Sequence, residues 1–553
     1  MKREAALLAA FAAFLFVRLG AVGLIDYDEA AYAQAAHEML ERGDWLAPTL
    51  NGEPFFEKPP LLYWGQILGY RALGVGEAGA RVGSALAALA ALAALYVFSK
   101  RPLGARVAGL GALALGSSLA FASLARVALT DLWLLLCIVL ALGCFHRALE
   151  ASARAGGSRW FVAFCACCGL AMLAKGAVGA LLPLAAAAAQ LALLRRLSLL
   201  LRPGWWLAGG AALLAIGLSW YLLLGLTQPD GFAFMSELFL EHHLDRFTSP
   251  KEGHRGSIFY YLPVLVLAFA PWSALLPVAL ARRFGAASER ERWLRLLGLL
   301  AAVTLVFFSA AATKLPHYLL PALPGLALLV ADRLAGKGPP IDRRALAWSV
   351  AGTVLLLLAL AGGLAAAEAI AARLPDWLGE QARKAPGLAF PLDLGPAPAA
   401  AALAALATAA VVIACRRSPS RLGFRLGAGS LLVWALIAWG ATPRWDSHFQ
   451  RPLRTLALAA AAQPDAGQRL LLVGLRRKPS VVFYGGRRTD TTSGRRPERV
   501  AARLAGPRTR LAIASQPDVE KLARSLPLET IARDTGYVLF RAAAPRDGGA
   551  ALP

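Results

Sequence analysis

Charge is scarce in this 553-residue chain. Only 17 % of its residues are Asp, Glu, Lys or Arg, while 58 % are hydrophobic. Soluble globular proteins carry roughly 25 % charged residues, so a soluble enzyme and a disordered scaffold are both excluded. Acidic residues are the scarcer sign, 34 against 58 basic ones, for a net charge of +24. The six cysteines, Cys137, Cys144, Cys165, Cys167, Cys168 and Cys415, all lie within or beside apolar runs. Cys165, Cys167 and Cys168 lack a second Cys/His cluster at zinc spacing and read as packing residues. A disulfide-stapled secreted module is therefore excluded. The sequence also lacks the ten-residue apolar/polar alternation of outer-membrane barrel strands. No glycine-rich nucleotide loop is present either: Gly485-Gly486 has none of the remaining spacing and reads as a turn.

What the chain has in abundance is apolar runs of about twenty residues, the length that crosses a bilayer as a helix. Thirteen segments are predicted, near 5–24, 78–98, 104–124, 129–148, 159–174, 176–194, 205–226, 258–281, 294–312, 317–334, 346–367, 397–415 and 423–441. The first, after Met1-Lys2-Arg3, holds Arg18 and has no clean cleavage site, so it reads as a retained span rather than a signal peptide. Alternate connections are short and basic, as at Lys100/Arg101/Arg106, Arg195/Arg196/Arg202 and Arg416/Arg417/Arg421. By the positive-inside rule these face the cytoplasm.

Two long loops, 25–77 and 227–257, then lie outside, with short outside connections at Arg126–Asp131, Lys175 and 313–317. In the first loop Glu29–Arg42 reads as an amphipathic helix, Asp44 to Pro48 as a turn, and Leu61–Leu73 as an apolar interfacial segment. Ala371–Lys384 is an amphipathic stretch in another outside linker. Composition changes near residue 442, so residues 1–441 are expected to form the transmembrane domain and 442–553 a small outside α/β domain. Its β-like runs are Leu470–Val473, Val481–Tyr484, Leu511–Ala514 and Tyr537–Phe540; its helical pieces are Pro452–Ala462, Arg495–Leu504 and Val519–Leu526. It carries 20 Lys and Arg against 9 Asp and Glu. An arginine-rich solvated surface accounts for this, as does attraction to the phosphates of lipopolysaccharide or the bilayer.

Two stretches of the first loop carry unusual chemistry, Asp26-Tyr27-Asp28-Glu29-Ala30-Ala31-Tyr32-Ala33 and Phe56-Glu57-Lys58-Pro59-Pro60-Leu61. Adjacent carboxylates at a helix start are ordinary first-turn residues; the second stretch makes that reading insufficient. Together they resemble the GT-C type lipid-linked glycosyltransferases, most closely the aminoarabinose (4-amino-4-deoxy-L-arabinose) transferase branch, related to protein O-mannosyltransferases. Arg126 and Asp131, Leu173-Ala174-Lys175-Gly176, and Lys314-Leu315-Pro316-His317-Tyr318-Leu319-Leu320-Pro321 match further elements. Glu241-His242-His243-Leu244-Asp245-Arg246-Phe247 matches another, with His243 where the family usually has Asn. The resemblance implies a polytopic helical bundle of about 13 spans, and an inverting enzyme that moves a sugar from undecaprenyl phosphate to lipid A or a related envelope glycolipid. It implies a bacterial inner-membrane location, a periplasmic site, and a role in polymyxin resistance.

Residue logic runs beside the resemblance. Asp28, Glu57, Lys58, Asp131, Lys175, His242, Arg246, Arg255, Lys314 and Tyr318 are far apart in sequence, yet the topology puts all of them outside. Charge at a bilayer centre costs about 2.5–3.5 kcal/mol on insertion scales, and the span-end positions of Lys175 and Lys314 reduce that cost. A leaving lipid phosphate needs cations: Lys58, Lys175, Arg246, Arg255 and Lys314 are candidates, with Tyr318 donating a hydrogen bond. If the acceptor is also a phosphate, two anions about 5 Å apart at an effective dielectric near 20 repel by roughly 3 kcal/mol. Asp28 is the first candidate for the catalytic carboxylate, followed by Asp131, whose alternative is an ion pair with Arg126. Glu29, Tyr32 and Arg126 are expected to touch substrate, and Glu57 with His242 to offer ligands for a divalent metal, Zn or Mg. His37, His146 and His448 are read as surface or membrane-edge residues, and His317 has no motif spacing of its own. The expected partners are the lipid-linked donor, the glycolipid acceptor and the membrane, with no nucleic acid, and the chain is expected to be a monomer. A protein-directed mannosyltransferase and a polyprenyl-lipid flippase are the alternatives; a flippase would place its polar residues at the bilayer midplane.

Overall fold

The structure is a computed structural model that describes residues 2–151, 157–198, 203–229, 231–232, 256–281, 288–336, 341–379, 386–463, 469–506 and 509–543. Each of the thirteen apolar segments falls on a helix or a bent helix pair. Eight helices are long and apolar enough to cross a membrane, or up to ten if each bent pair is one span. Ala6–Phe16, Ala105–Gly116 and Ala177–Leu193 are apolar but shorter. The sharpest bend, 107° between Tyr261–Ala268 and Trp272–Leu280, falls at Pro271, whose missing N–H breaks the helical ladder. A carbonyl freed there, that of Ala270, accepts from the Leu119 N–H at 3.1 Å.

Buried polar groups inside the bundle are paired in ways that fix its helices. Trp272 and Trp434 both donate their indole N–H to Ser117, at its hydroxyl and carbonyl respectively, and Trp293 donates to Ser99. Aromatic bulk with one satisfied donor is a strong packing unit. At one end, ion pairs tie helix termini together: Arg292–Glu150 at 2.6 Å, Arg290–Asp332 at 2.6 Å and Arg101–Glu289 at 3.4 Å. Asp131 begins the helix that carries Glu150 near its far end, so Asp131 belongs to the opposite end of the bundle.

That opposite end is covered by the first long loop. Its helix Asp28–Arg42 leads into a hairpin of β1 (Thr49–Leu50) and β2 (Glu53–Pro54), then the helix Leu61–Leu73. Asn51 and Gly52 form the hairpin turn, both at positive φ, as such a two-residue turn requires. The Glu38 carboxylate grips it, accepting from Asn51 N–H at 2.7 Å, Gly52 N–H at 3.2 Å and the Thr49 hydroxyl. The Leu61–Leu73 helix lies so close to Glu77–Leu103 that a Cβ at Gly69 would sit 2.1 Å from the Gly79 carbonyl. Small residues of this kind let helix backbones meet.

Beyond the bundle, a five-stranded sheet has the order β4-β3-β5-β7-β6, with β3 (Arg469–Val473) parallel to β4 (Arg488–Thr492) and β5 (Thr509–Ser515). β7 (Tyr537–Ala542) is antiparallel to both β5 and β6 (Leu528–Asp534). Helices Arg451–Ala461, Pro497–Leu504 and Gln516–Leu522 cover it. Two departures from the sequence reading appear here. Val481–Tyr484 lies in a helix, Pro479–Gly485, because Pro479 starts it and Gly486, at φ +60°, caps it. The change of composition at residue 442 falls within a helical run, Pro419–Phe449, that passes through a π turn at Ile437–Ala441.

The sheet unit is pinned to the first loop. The Asn51 amide donates to the Thr489 carbonyl at 2.9 Å and accepts from its N–H at 2.8 Å, copying a strand's bonding on the β4 edge. Asp26 accepts from the Ser480 N–H at 3.0 Å and hydroxyl at 2.6 Å, with Lys478 at 3.8 Å. Tyr484 donates to Glu77 at 3.0 Å and accepts from the Leu24 N–H at 2.8 Å. Replacing Asn51 by Ala removes both amide bonds. Docking is expected to weaken by about 1–2 kcal/mol, and hydrogen exchange at Thr489 to accelerate; unchanged exchange would mean the amide does not hold the edge strand.

Candidate functional site

Phe55 and Phe56 place the second motif. Phe55 packs among Tyr32 and Tyr63, and Phe56 turns to Leu173, Trp220 and Tyr221. With Pro59 and Pro60 buried behind them, the chain at Glu57-Lys58 is held between two apolar clusters. Lys58 Nζ lies 5.8 Å from the centre of the Tyr32 ring and donates to the Glu57 carbonyl at 3.3 Å. Tyr32 is therefore the buried floor beneath Lys58, 2 % exposed.

Asp131 and Lys175 form a second unit. Asp131 starts the Asp131–Ala151 helix and Lys175 ends Gly157–Lys175, so each charge opposes its own helix dipole. Their side chains meet at 2.7 Å, 5 % and 14 % exposed. Asp131 thus pairs with Lys175, not with Arg126. The Lys175 ammonium also lies 5.0 Å from the centre of the Tyr318 ring. Tyr318 is steadied by Phe308 at 4.8 Å and His317 at 5.0 Å.

His317 joins the parts. Asp131, Lys175, Asp28 and Lys58 all lie within electrostatic range of its ring. The loop holding Asp28 and the one holding Lys314 are therefore at the same end of the bundle. Asp28 is exposed at the start of its helix. Tyr27 and the buried Tyr63 lie within range of both Asp28 and Glu57, and Arg477 of the sheet unit lies within electrostatic range of Tyr27. Burial, Glu57 and Asp28 push the Tyr27 phenol above its ordinary value, with Arg477 opposing.

Three expected substrate contacts have other work. The Glu29 carboxylate is 2 % exposed and saturated: it accepts twice from Arg81, at 2.7 and 2.8 Å, and from the N–H groups of Ile25 and Ala128. Arg126 donates to the carbonyls of Phe14, Leu15, Val17 and Arg18 at the end of the first helix, which is a C-cap. Burial and the neighbouring Arg81 pull its guanidinium down to about 10. Lys314 is 5 % exposed and gives all its N–H bonds to the carbonyls of Phe308, Ser309 and Ala311, at 3.0, 2.6 and 2.5 Å. It closes the end of Glu289–Ala310, and burial lowers its pKa.

His242, Arg246 and Arg255 lie outside the described residues. Glu57 is half-buried beside Tyr27 and Tyr63, and among the described residues no three His, Cys, Asp or Glu side chains come together as metal ligands. His317, Tyr27, Tyr63 and Arg477 were not singled out by sequence reasoning. His317 had a signal, since it lies between Lys314 and Tyr318 in a motif already matched. Arg477 belongs to the basic run Arg476-Arg477-Lys478, legible as a surface that attracts phosphates, but only the fold brings residue 477 to residue 27.

Known proteins resemble this chain in sequence and in fold. Residues 4–229 match the family model of dolichyl-phosphate-mannose-protein mannosyltransferase. An undecaprenyl phosphate-alpha-4-amino-4-deoxy-L-arabinose arabinosyl transferase of Serratia proteamaculans is 33 % identical over 331 residues, 59 % of this chain. The chain spans 58 % of that relative's length. The protein with the same description from Pseudomonas aeruginosa (strain UCBPP-PA14) is 33 % identical over 358 residues, covering 64 % of this chain and 63 % of the relative. The crystal structure of ArnT from Cupriavidus metallidurans bound to undecaprenyl phosphate superposes with a TM-score of 0.80 at 24 % identity, over 98 % of both chains. The fold is shared with that structure, an apolar multi-span helical bundle with an appended sheet. In sequence the chain is similar to the aminoarabinose transferases, as its motifs indicated.

The distinction between Lys58 and Lys314 can be measured. Lys314→Met leaves three helix-end carbonyls without their charged donor and is expected to lower stability by about 2–3 kcal/mol. Lys58→Met, at a half-buried position over a ring, is expected to shift it by less than about 1 kcal/mol. Equal shifts in thermal unfolding in detergent would remove the structural role given to Lys314.

Proposed function

We propose that this chain is an inverting glycosyltransferase that moves a sugar, 4-amino-4-deoxy-L-arabinose, from undecaprenyl phosphate to a phosphate of lipid A or a related envelope glycolipid. The proposed site faces the periplasm of a bacterial inner membrane. One observation carries the reading: Asp131 and Lys175 pair at one end of an apolar helical bundle, and they, Asp28 and Lys58 all lie within electrostatic range of His317 there. The Serratia and Pseudomonas descriptions support the donor and the sugar. The basic loops at the other end support the orientation.

In this reading the acceptor oxygen attacks the anomeric carbon from the face opposite the lipid phosphate. The glycosidic C–O bond breaks, and its electron pair leaves on that phosphate. Lys58 and Lys175 neutralise the developing charge, with Asp131 positioning Lys175 through their 2.7 Å contact. A phosphate acceptor is already ionised and needs no base. Asp28 then orients the acceptor or stabilises positive charge at the sugar. Glu57 and His242 remain the pair proposed to hold a divalent cation, which would add positive charge beside the phosphate; no step here depends on it. The mannosyltransferase family match supports a second reading, in which a Ser or Thr hydroxyl accepts the sugar and Asp28 is the general base.

Purified protein in detergent, given a synthetic undecaprenyl-phosphate sugar and a phosphorylated glycolipid, is expected to yield the glycosylated acceptor by mass detection. No product with either a glycolipid or a peptide hydroxyl would overturn the enzyme reading, and product only with the peptide would select the second. Lys58→Ala is expected to lower turnover about 10²–10³-fold. Asp28→Asn is expected to lower it at least about 10²-fold with the protein still folded; full turnover in Asp28→Asn would remove its assigned role.

A further inference from the structure

Between the β1–β2 hairpin and the sheet unit lies a cleft of about 370 Å³ that the transfer chemistry does not use. Its volume falls in the range of ordinary ligand pockets, about 300–1,000 Å³. Four cations line it: Arg469, Arg477, Lys478 and Arg503. Glu53 and Asp490 are the carboxylates on its walls. Asp490 is already taken by Arg469 at 2.7 Å, and Lys478 faces Asp26 at 3.8 Å. Arg477 and Arg503 are both exposed, and no ion pair joins either of them to a carboxylate among the described residues. Two guanidiniums are thus outside any ion pair, and with Glu53 counted the cleft keeps one positive charge in excess; guanidiniums are the groups best shaped for forked bonds to a phosphate or carboxylate.

The walls are fixed in advance. Glu38 holds the hairpin turn, and Asn51 locks it to the β4 edge through Thr489. Cations on a rigid frame lose little freedom on binding. The cleft is also electrostatically adjacent to the transfer site, because Arg477 on its wall lies within range of Tyr27, which is itself within range of Asp28 and Glu57. The positive-inside rule gives no reason for cations at this end of the bundle.

We propose that this cleft is a second anion site, which holds a phosphate or carboxylate on the saccharide headgroup of the acceptor while another group of that headgroup receives the sugar. The inference rests on the glycolipid-acceptor reading above. It makes Arg503 and Arg477 determinants of acceptor choice, supplied by the sheet unit rather than by the bundle. An acceptor with two anionic groups would then be preferred over one with a single group.

Two measurements separate the cleft from the overall function. First, the full-length protein in detergent is titrated with a deacylated bis-phosphorylated glucosamine disaccharide and, separately, with orthophosphate. The disaccharide is expected to bind more tightly than orthophosphate, and Arg477→Gln/Arg503→Gln to weaken it by about tenfold or more with an unchanged unfolding temperature. Unchanged affinity in the double variant overturns the cleft, and orthophosphate binding as tightly as the disaccharide overturns the headgroup assignment. This arm needs no turnover, so it stands if the transfer reading fails. Second, in the transfer assay Arg503→Gln is expected to raise the acceptor KM about tenfold with kcat and the donor KM unchanged; an unchanged acceptor KM overturns the proposal.

Discussion

One buried ion pair sets the geometry of everything around it. Arg81 and Glu29 meet at 2.7 Å with side chains 3 % and 1 % exposed. Arg81 also donates to the carbonyls of Leu19, Val22 and Gly23, where the first helix hands over to the first loop. Glu29 accepts from Ala128, three residues before Asp131. A single salt bridge therefore ties together the exit of the first helix, the helix that Asp28 begins, and the connection that delivers Asp131. A buried pair of this kind is weak evidence for stability, since an apolar replacement often does as well. Its value here is geometric: the directions of two guanidinium edges and two carboxylate oxygens fix three chain segments at once.

The same pair explains why one of two adjacent carboxylates is free for chemistry. Successive residues on an α-helix point about 100° apart, so Asp28 and Glu29 cannot both face the site. Glu29 turns inward to Arg81, and Asp28 stays exposed near Lys58 and His317. From sequence the two acids were equivalent members of one motif, and both were assigned to substrate or catalysis. Lys314 and Arg126 misled in a similar way. Each is a cation in a matched motif, but each also follows soon after a helix or faces the end of one, where unsatisfied carbonyls compete with any ligand for its N–H groups. Lys58 and Lys175 are held differently, Lys58 donating to the adjacent Glu57 carbonyl and Lys175 to a carboxylate. Lys58 leads into a helix rather than out of one, and Asp131 holds Lys175 by its side chain.

What the sequence made legible follows from where the physical signal is strong. Long apolar runs placed the helices, and the parity of the loops put the candidate residues at one end of the bundle. In the sheet unit the three strands read from apolar runs, at Leu470–Val473, Leu511–Ala514 and Tyr537–Phe540, are the three central strands β3, β5 and β7. The two strands that were missed, Arg488–Thr492 and Leu528–Asp534, are the two edges. An edge strand has one neighbour and no need for a continuous apolar sequence, and polar residues there discourage pairing with other chains. Val481–Tyr484 shows the converse error, since a short apolar run carries no period of its own and its flanking Pro479 and Gly486 decide for helix.

The sheet unit gives the site something that a bundle of apolar helices cannot supply. Helix ends in a membrane can carry a few charges, and each must be balanced or kept at the rim. Asp131 with Lys175, and Glu29 with Arg81, are balanced pairs that leave little net positive charge behind. The proposed reaction brings two anionic headgroups together and would need more cation than that. The sheet unit brings its cations on a turn, Arg476-Arg477-Lys478, that is anchored beside the first motif by Asp26 and Ser480. Because Asp26 and Asp28 are two residues apart, that turn is docked beside the carboxylate proposed to act in the reaction. The appended unit is therefore mechanically part of the site: the residues that dock it are neighbours of the residues that would carry the reaction.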